Sequence, residues 1–266
     1  MENIIVTKEI IIAKGEFVAI LAPSGSGKTV FMDKLRTFAS VCGQDLSKLD
    51  SDKLAVFRRE KMGYISREFR FLEHSTVKEN IALPLVLGGK PAKETNEIVE
   101  GMMDFFGIDY LSAKMPSELS NEDKQRVSAA RAMVVNPVIC FADEPTGNLD
   151  SASTANIMEM LSIMNADGGI TILLATHDSV VASYARRVLI MEDGEFIAEI
   201  ACEGHRREFL AQILDLQFDL YAPDKPVSHI PERQQTLFDM ESLKEITDDI
   251  QIDDIPQDNV EEPEVE

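Results

Sequence analysis

Phe17 to Thr29 reads FVAILAPSGSGKT. Phe17, Val18, Ala19 and Ile20 form an apolar run of strand length, which Pro23, Gly25 and Gly27 then break. From Val30 to Val41 the pattern resumes with helical periodicity. Strand, small-residue loop and a Lys28-Thr29 pair opening a helix is the layout of a phosphate-binding loop. Ala22, Pro23, Ser24, Gly25, Ser26 and Gly27 form the loop whose backbone N–H groups, Pro23 lacking one, face the phosphates with a positive helix end. Lys28 reaches the β- and γ-phosphates, and the Thr29 hydroxyl ligates Mg²⁺. The strict pattern G-x-x-x-x-G-K-[ST] fails at its first place, where Ala22 stands for glycine. The competing reading is a glycine-rich turn with an incidental lysine.

The chain has 266 residues, 44% of them hydrophobic, enough for one substantial core with room for a subdomain or tail. Its formal net charge of −21 argues against a binder of nucleic acid phosphates. The charge is uneven: residues 222–266 carry 14 Asp/Glu against 3 Lys/Arg, a net of −11, leaving −10 for the rest. Cys42, Cys140 and Cys202 show neither metal-ligand spacing nor an even count, which fits a reducing cytoplasm. No signal peptide is legible in MENIIV, and no apolar run approaches the ~18 residues that cross a bilayer. Direct membrane insertion is therefore not expected.

Further along, Ile4 to Ile12 reads as one strand before a turn at Lys14-Gly15. Asp50 to Lys61 reads as a polar helix or loop, and Met62 to Ile65 as a short strand. From Phe71 to Leu119 the pattern is helical, with Met102, Met103, Phe105 and Phe106 as core packing. Val138 to Ala142 and Ile170 to Ala175 are wholly apolar and suit parallel strands buried on both faces. Val188 to Met191 and Glu195 to Ile200 flank Asp193-Gly194 as a hairpin. Past Tyr221 the composition turns to Pro, Asp, Glu and Gln and cannot bury a core.

Val138 to Asp150, VICFADEPTGNLD, is an apolar strand that ends in two carboxylates. In a parallel α/β sheet that end carries the ligand site. Asp143 is placed to hold Mg²⁺ directly or through water, and Glu144 to polarise the water that attacks the γ-phosphate. The second strand, ITILLA, ends in Thr176-His177-Asp178, where His177 is placed to sense the γ-phosphate and orient the same water. His74 has no such position and reads as structural.

Together these pieces closely resemble the ATP-binding cassette (ABC) family. GYISREFRFLEHSTVKENIALPL, QRVSAARAM, ADEPTGNLD and ATHD stand in the family's order and spacing, from Ile4 to about Ile200. The wording is similar to the branch holding the macrolide-export, lipoprotein-releasing and FtsE cell-division ATPases. The resemblance implies an α/β P-loop NTPase with a RecA-like core, an antiparallel β edge and an inserted helical subdomain at about 71–119. It implies a nucleotide-binding domain over 1–202, followed by a C-terminal helix at 203–221 and an acidic tail at 222–266. It also implies ATP and Mg²⁺ as ligands, and pairing as a homodimer or as a heterodimer with another ABC ATPase subunit. In such pairs two ATP molecules lie between the subunits, and the signature loop of one completes the site of the other. A separate membrane-spanning, permease-like subunit would hold the chain on the cytoplasmic face of the membrane, docking beside Arg67 and the helical subdomain. A nucleotide-dependent scaffold or regulator with little hydrolysis, FtsE-like in role, is the alternative.

The departures are specific. The LSGGQ signature is Leu119-Ser120-Asn121-Glu122-Asp123, and the expected glutamine after GYIS is Arg67. Ser120 remains as a nucleotide contact, and Ser120-x-x-Asp123 also suits a helix N-cap. At about 5 Å and an effective dielectric near 20, each carboxylate would repel a unit phosphate charge by ~3 kcal/mol. The loop is expected to fold and to clamp ATP badly. The family's adenine-stacking aromatic has no counterpart before Ile4, either a real loss of stacking of ~1–3 kcal/mol or a start codon placed too far downstream. In the tail, Leu243, Ile246 and Ile250 are spaced for a short amphipathic helix. Gln234 to Phe238 resembles a sliding-clamp-binding peptide, with a solvated acidic tail as the default.

Overall fold

The computed structural model describes residues 3–7, 9–147 and 149–221. The readings made above for the tail therefore lie outside the described residues. The first part of the chain forms β1 (Asn3–Val6), β2 (Ile11–Ala13), β3 (Phe17–Leu21), α1 (Lys28–Phe38), β4 (Ser40–Val41), β5 (Gln44–Asp45), α2 (Ser51–Lys61) and β6 (Met62–Ser66). Three helices follow, α3 (Val77–Leu87), α4 (Ala92–Phe105) and α5 (Asn121–Met133). The remainder is β7 (Ile139–Asp143), α6 (Ser151–Ala166), β8 (Thr171–Thr176), α7 (Ser179–Ala182), β9 (Arg187–Glu192), β10 (Glu195–Ala201) and α8 (Arg206–Tyr221).

Two sheets result. The larger has the order β10-β9-β3-β8-β7-β6, parallel except for the antiparallel β9–β10 hairpin at its edge. The smaller, β2-β1-β4-β5, is antiparallel throughout. Residues along β3 alternate between two cores, because successive side chains of a strand point to opposite faces. Phe17, Ala19 and Leu21 join the core under α3 to α6, whereas Val18 and Ile20 join the core with α1 and the small sheet. Burial on both faces is why the central strands are wholly apolar.

Two expectations are corrected here. Ile4 to Ile12 is not one strand: β1 and β2 pair back on each other around Thr7. The Thr7 hydroxyl accepts from the N–H groups of Glu9 and Ile10, closing a local turn that competes with a straight strand. The helix that Lys28-Thr29 opens stops at Phe38 rather than running to Val41, and Ser40-Val41 is β4. Elsewhere Asp50 caps α2 by accepting from the Lys53 N–H, which decides for helix there. Thr76 and Glu79 close a capping box that starts α3. Met103 and Phe106 are buried while Phe105 is exposed, so the Met-Phe group is core packing on one face only.

The register of the large sheet sets up everything else. Leu21 lies opposite Thr176, Ala175 opposite Asp143, and Asp143 opposite Ser66. The chain leaves these strands at adjacent points, so Ala22, His177, Glu144 and Arg67 emerge side by side at the C-terminal edge.

Candidate functional site

The loop from Ala22 to Gly27 is shaped by two left-handed glycines, Gly25 (φ 83°) and Gly27 (φ 91°), a conformation that side-chain-bearing residues resist. Ala22 is not one of these positions. It is 2% exposed and packs with the core beneath the loop, and its N–H donates to the Thr176 carbonyl at 3.1 Å. Alanine at the first place of the pattern is therefore tolerated. Gly27 begins α1, and no side chain caps the helix. The first amides of α1 consequently point at the loop's hollow without a side-chain partner, the arrangement that suits an anion.

Lys28 is buried, and its ammonium donates to the Ala22 and Pro23 carbonyls at 2.7 and 2.8 Å. It also lies 3.4 Å from Glu144 Oε1. The Thr29 hydroxyl donates to Asp143 Oδ2 at 2.8 Å. Asp143 is 7% exposed, and its other oxygen, Oδ1, is buried with no hydrogen-bond partner. Burial, opposed by the Thr29 hydrogen bond, raises the Asp143 pKa above the usual carboxylate value. A buried carboxylate oxygen lacking a donor beside a threonine hydroxyl is a hard-oxygen pair that fits Mg²⁺, which is commonly held by one or two carboxylates plus substrate phosphates.

Glu144 takes a left-handed φ of 47°, and its N–H donates to the Ala175 carbonyl at 2.9 Å. His177 Nδ1 lies 2.9 and 3.0 Å from the two carboxylate oxygens of Glu144. An ionised carboxylate only accepts, so Nδ1 carries the proton and Nε2 is left for other contacts. The loop beyond Glu144 passes Arg67: a Cβ built on Gly147 would sit 3.7 Å from Arg67 Cδ and 3.8 Å from Nε. Lys28, Thr29, Asp143, Glu144 and His177 thus form one connected cluster at the strand ends.

Ser120 stands elsewhere, as the N-cap of α5. Its hydroxyl accepts from the Asp123 N–H at 3.1 Å and donates to Asp123 Oδ2 at 2.8 Å. The Tyr110 hydroxyl donates to Asp123 Oδ1 at 2.8 Å, and the Arg126 guanidinium pairs with Glu122 at 2.5 Å. Among the described residues no hydrogen bond or ion pair joins this loop to the cluster around Lys28. The Glu122 carboxylate is thus paired with a cation, the Asp123 carboxylate has only neutral partners, and the Ser120 hydroxyl is engaged within its own loop. Reading the sequence overlooked Tyr110 and Arg126. The i,i+4 spacing of Glu122 and Arg126 signals their pairing, but nothing local signals Tyr110.

The sequence profile described as "ABC transporter" matches residues 8–147. The ABC transporter ATP-binding protein YxdL of Bacillus subtilis is 40% identical over 212 residues, covering 77% of this chain and 82% of that protein. The bacitracin export ATP-binding protein BceA of Halalkalibacterium halodurans is 38% identical over 217 residues, covering 79% and 86%. The macrolide export ATP-binding/permease protein MacB of Neisseria meningitidis is 38% identical over 195 residues, 71% of this chain but 30% of the longer protein. Among solved structures, a dimeric post-hydrolysis state of the ATP-binding cassette MJ0796, bound to ADP and Pi, superposes with a TM-score of 0.68 at 30% identity. It spans 76% of this chain and 97% of the other.

Proposed function

The chain belongs to the ABC transporter family, and from that premise we propose that it binds Mg·ATP in the cluster around Lys28 and powers a separate membrane-spanning subunit. It is an ABC-type ATPase subunit. The observation that carries the site assignment is the connected set Lys28, Thr29, Asp143 and Glu144 beneath uncapped helix amides. Mg²⁺, held by Thr29 and Asp143, would supply charge neutralisation at the β- and γ-phosphates. Lys28 exchanges the Ala22 and Pro23 carbonyls for phosphate oxygens, and the loop at 22–27 wraps the phosphates with the backbone N–H groups of Ser24, Gly25 and Gly27. Glu144 accepts a proton from the attacking water, and His177, donating to Glu144 through Nδ1, fixes the carboxylate while offering Nε2 to the γ-phosphate. Ser120 is the chain's contribution to a partner subunit's nucleotide.

No helix among the described residues is long and apolar enough to cross a membrane. A permease-like partner, the counterpart of the permease part that the macrolide export protein carries in its own chain, would hold it at the cytoplasmic face of the membrane. A groove of about 250 Å³ lined by Leu83, Pro84, Leu87, Val135, Arg59 and Arg131 suits a helix from that partner. On this reading residues 1–202 are the nucleotide-binding domain, with a helical subdomain at about 71–119. Residues 203–221 follow as a C-terminal helix, and 222–266 as an acidic tail.

A second reading, a nucleotide-dependent scaffold with little turnover, is favoured by one observation: Ser120 is engaged by Asp123. Calorimetry with Mg·ATP tests the site itself. Lys28→Ala is expected to weaken binding by about tenfold to a hundredfold, the loss of one charge-assisted contact. Equal affinity in that variant would remove the site assignment.

A further inference from the structure

Phe69 and Arg70 are consecutive non-glycine residues with left-handed backbones, φ 58° and 51°. Each such residue lowers the population of its conformation by about tenfold unless its surroundings hold it. The turn they form hangs from the end of β6. The Phe69 N–H donates to the Ser66 carbonyl at 3.2 Å, the Arg70 N–H to the Glu68 carbonyl at 2.6 Å, and the Glu68 N–H to Ser66 Oγ at 3.1 Å. The Arg70 N–H bond closes a γ-turn around Phe69 and favours its positive φ, but none of these local bonds spans Arg70.

A residue 61 positions from Arg70 completes the selection. Arg131, on α5, donates one N–H to the Arg70 carbonyl at 2.9 Å and another to the Phe69 carbonyl. Its guanidinium also lies 4.9 Å from the Phe71 ring centroid, and Phe71 stacks on Phe69. A planar fork with two donors at fixed spacing matches two carbonyls turned the same way, which the left-handed pair provides. The anchor is rigid, because α5 lies directly on β6: a Cβ on Gly63 would come within 2.7 Å of the Ala132 carbonyl oxygen. At the far side of the same turn, Arg67 packs against Gly147 in the loop that follows Glu144.

We propose that Arg131 is a positioning residue: it holds residues 66–71 in their left-handed turn and thereby keeps Arg67 against the Glu144 loop. Desolvation lowers the Arg131 pKa to about 10, which still leaves the guanidinium charged at neutral pH. The Arg67 part rests on the proposed ATP site, whereas the turn itself is measured without nucleotide.

The test is hydrogen exchange of the Phe69 and Arg70 amides in the full chain, joined to steady-state ATPase measurements. Arg131→Met is expected to speed exchange at both amides by about tenfold, while Arg131→Lys, with one compact donor group, falls between. Adding Arg70→Gly to Arg131→Met removes the strain at one position and should bring exchange back to within about threefold of the wild type. In the same series kcat should fall in Arg131→Met with the KM for ATP within about twofold, and recover in part with Arg70→Gly. Unchanged exchange in Arg131→Met, or no rescue by Arg70→Gly, overturns the proposal. If Arg131→Met does not fold, Arg131→Lys decides alone, and wild-type exchange in it overturns the proposal. Altered exchange with wild-type kcat overturns only the link through Arg67, and a protein without any ATPase activity speaks against the proposed site instead.

Discussion

The cluster at the strand ends and the loop at the start of α5 are both polar, both anchored at a helix N-terminus, and opposite in how they use their groups. Around Lys28, Asp143 Oδ1 is buried without a donor, and the first amides of α1 lack a side-chain cap. Around Ser120, the hydroxyl, the Asp123 carboxylate and the Glu122 carboxylate each have a partner within the chain. A binding site has to hold donors and acceptors in reserve, because an unsatisfied buried group costs about 1–3 kcal/mol and a ligand recovers that cost. The first region holds such groups in reserve. The second is arranged to be a stable helix start.

The largest expected effect comes from the first region. Glu144→Gln keeps the shape but cannot accept the proton from water, and kcat should fall by about 10²- to 10⁴-fold while ATP still binds. Hydrolysis within tenfold of the wild type would show that Glu144 is not the base, and the comparison would lose its catalytic side.

Asp143 gives a smaller effect with a definite sign. Its pKa is raised in the folded chain, so its charged form is disfavoured there relative to the unfolded chain. Stability associated with it is present below the unfolded pKa and lost as pH rises through the folded value. Asp143→Asn should therefore melt above the wild type at neutral pH without nucleotide, and the gap should close on acidification through the ordinary carboxylate range. The same variant should lose the Mg²⁺-dependent part of nucleotide affinity. A variant less stable at neutral pH would mean that the carboxylate is already satisfied, and the two regions would then be alike.

The smallest effect is spectroscopic. The hydrogen bond to Asp123 raises the Tyr110 phenol above its ordinary pKa. Asp123→Asn should move that titration back down, read by the ring resonances of Tyr110 across alkaline pH. An unmoved titration would mean that the Tyr110–Asp123 contact is not formed.

How much of this was legible in the sequence follows the range of each interaction. β3, the glycine loop and the start of α1 are written in consecutive residues. An apolar run ending in Asp143-Glu144, and another ending in His177, locate carboxylates and imidazole without knowledge of the packing. The split of residues 4–12 into β1 and β2 was hidden by an apolar run on each side, although Thr7 is a turn-forming residue. The engagement of Ser120 was half visible, since Ser120-x-x-Asp123 is an N-cap pattern, but Tyr110 reaches Asp123 across 13 positions with no periodicity to betray it. The Arg131 contacts span more than sixty positions and depend on how closely α5 lies against β6. Such contacts belong to the tertiary fold alone.

The claim that the two regions differ in readiness is tested most directly by changing the second into the form the family uses. The measurement is steady-state ATP hydrolysis by the purified chain, with its own loop and with Asn121→Gly, Glu122→Gly and Asp123→Gln combined. Freeing the Ser120 hydroxyl and removing both carboxylates should raise turnover by about tenfold or more, since one hydrogen bond to a charged phosphate is worth ~1.5–3 kcal/mol. Equal turnover by the two proteins, with Glu144→Gln abolishing both, would contradict the account.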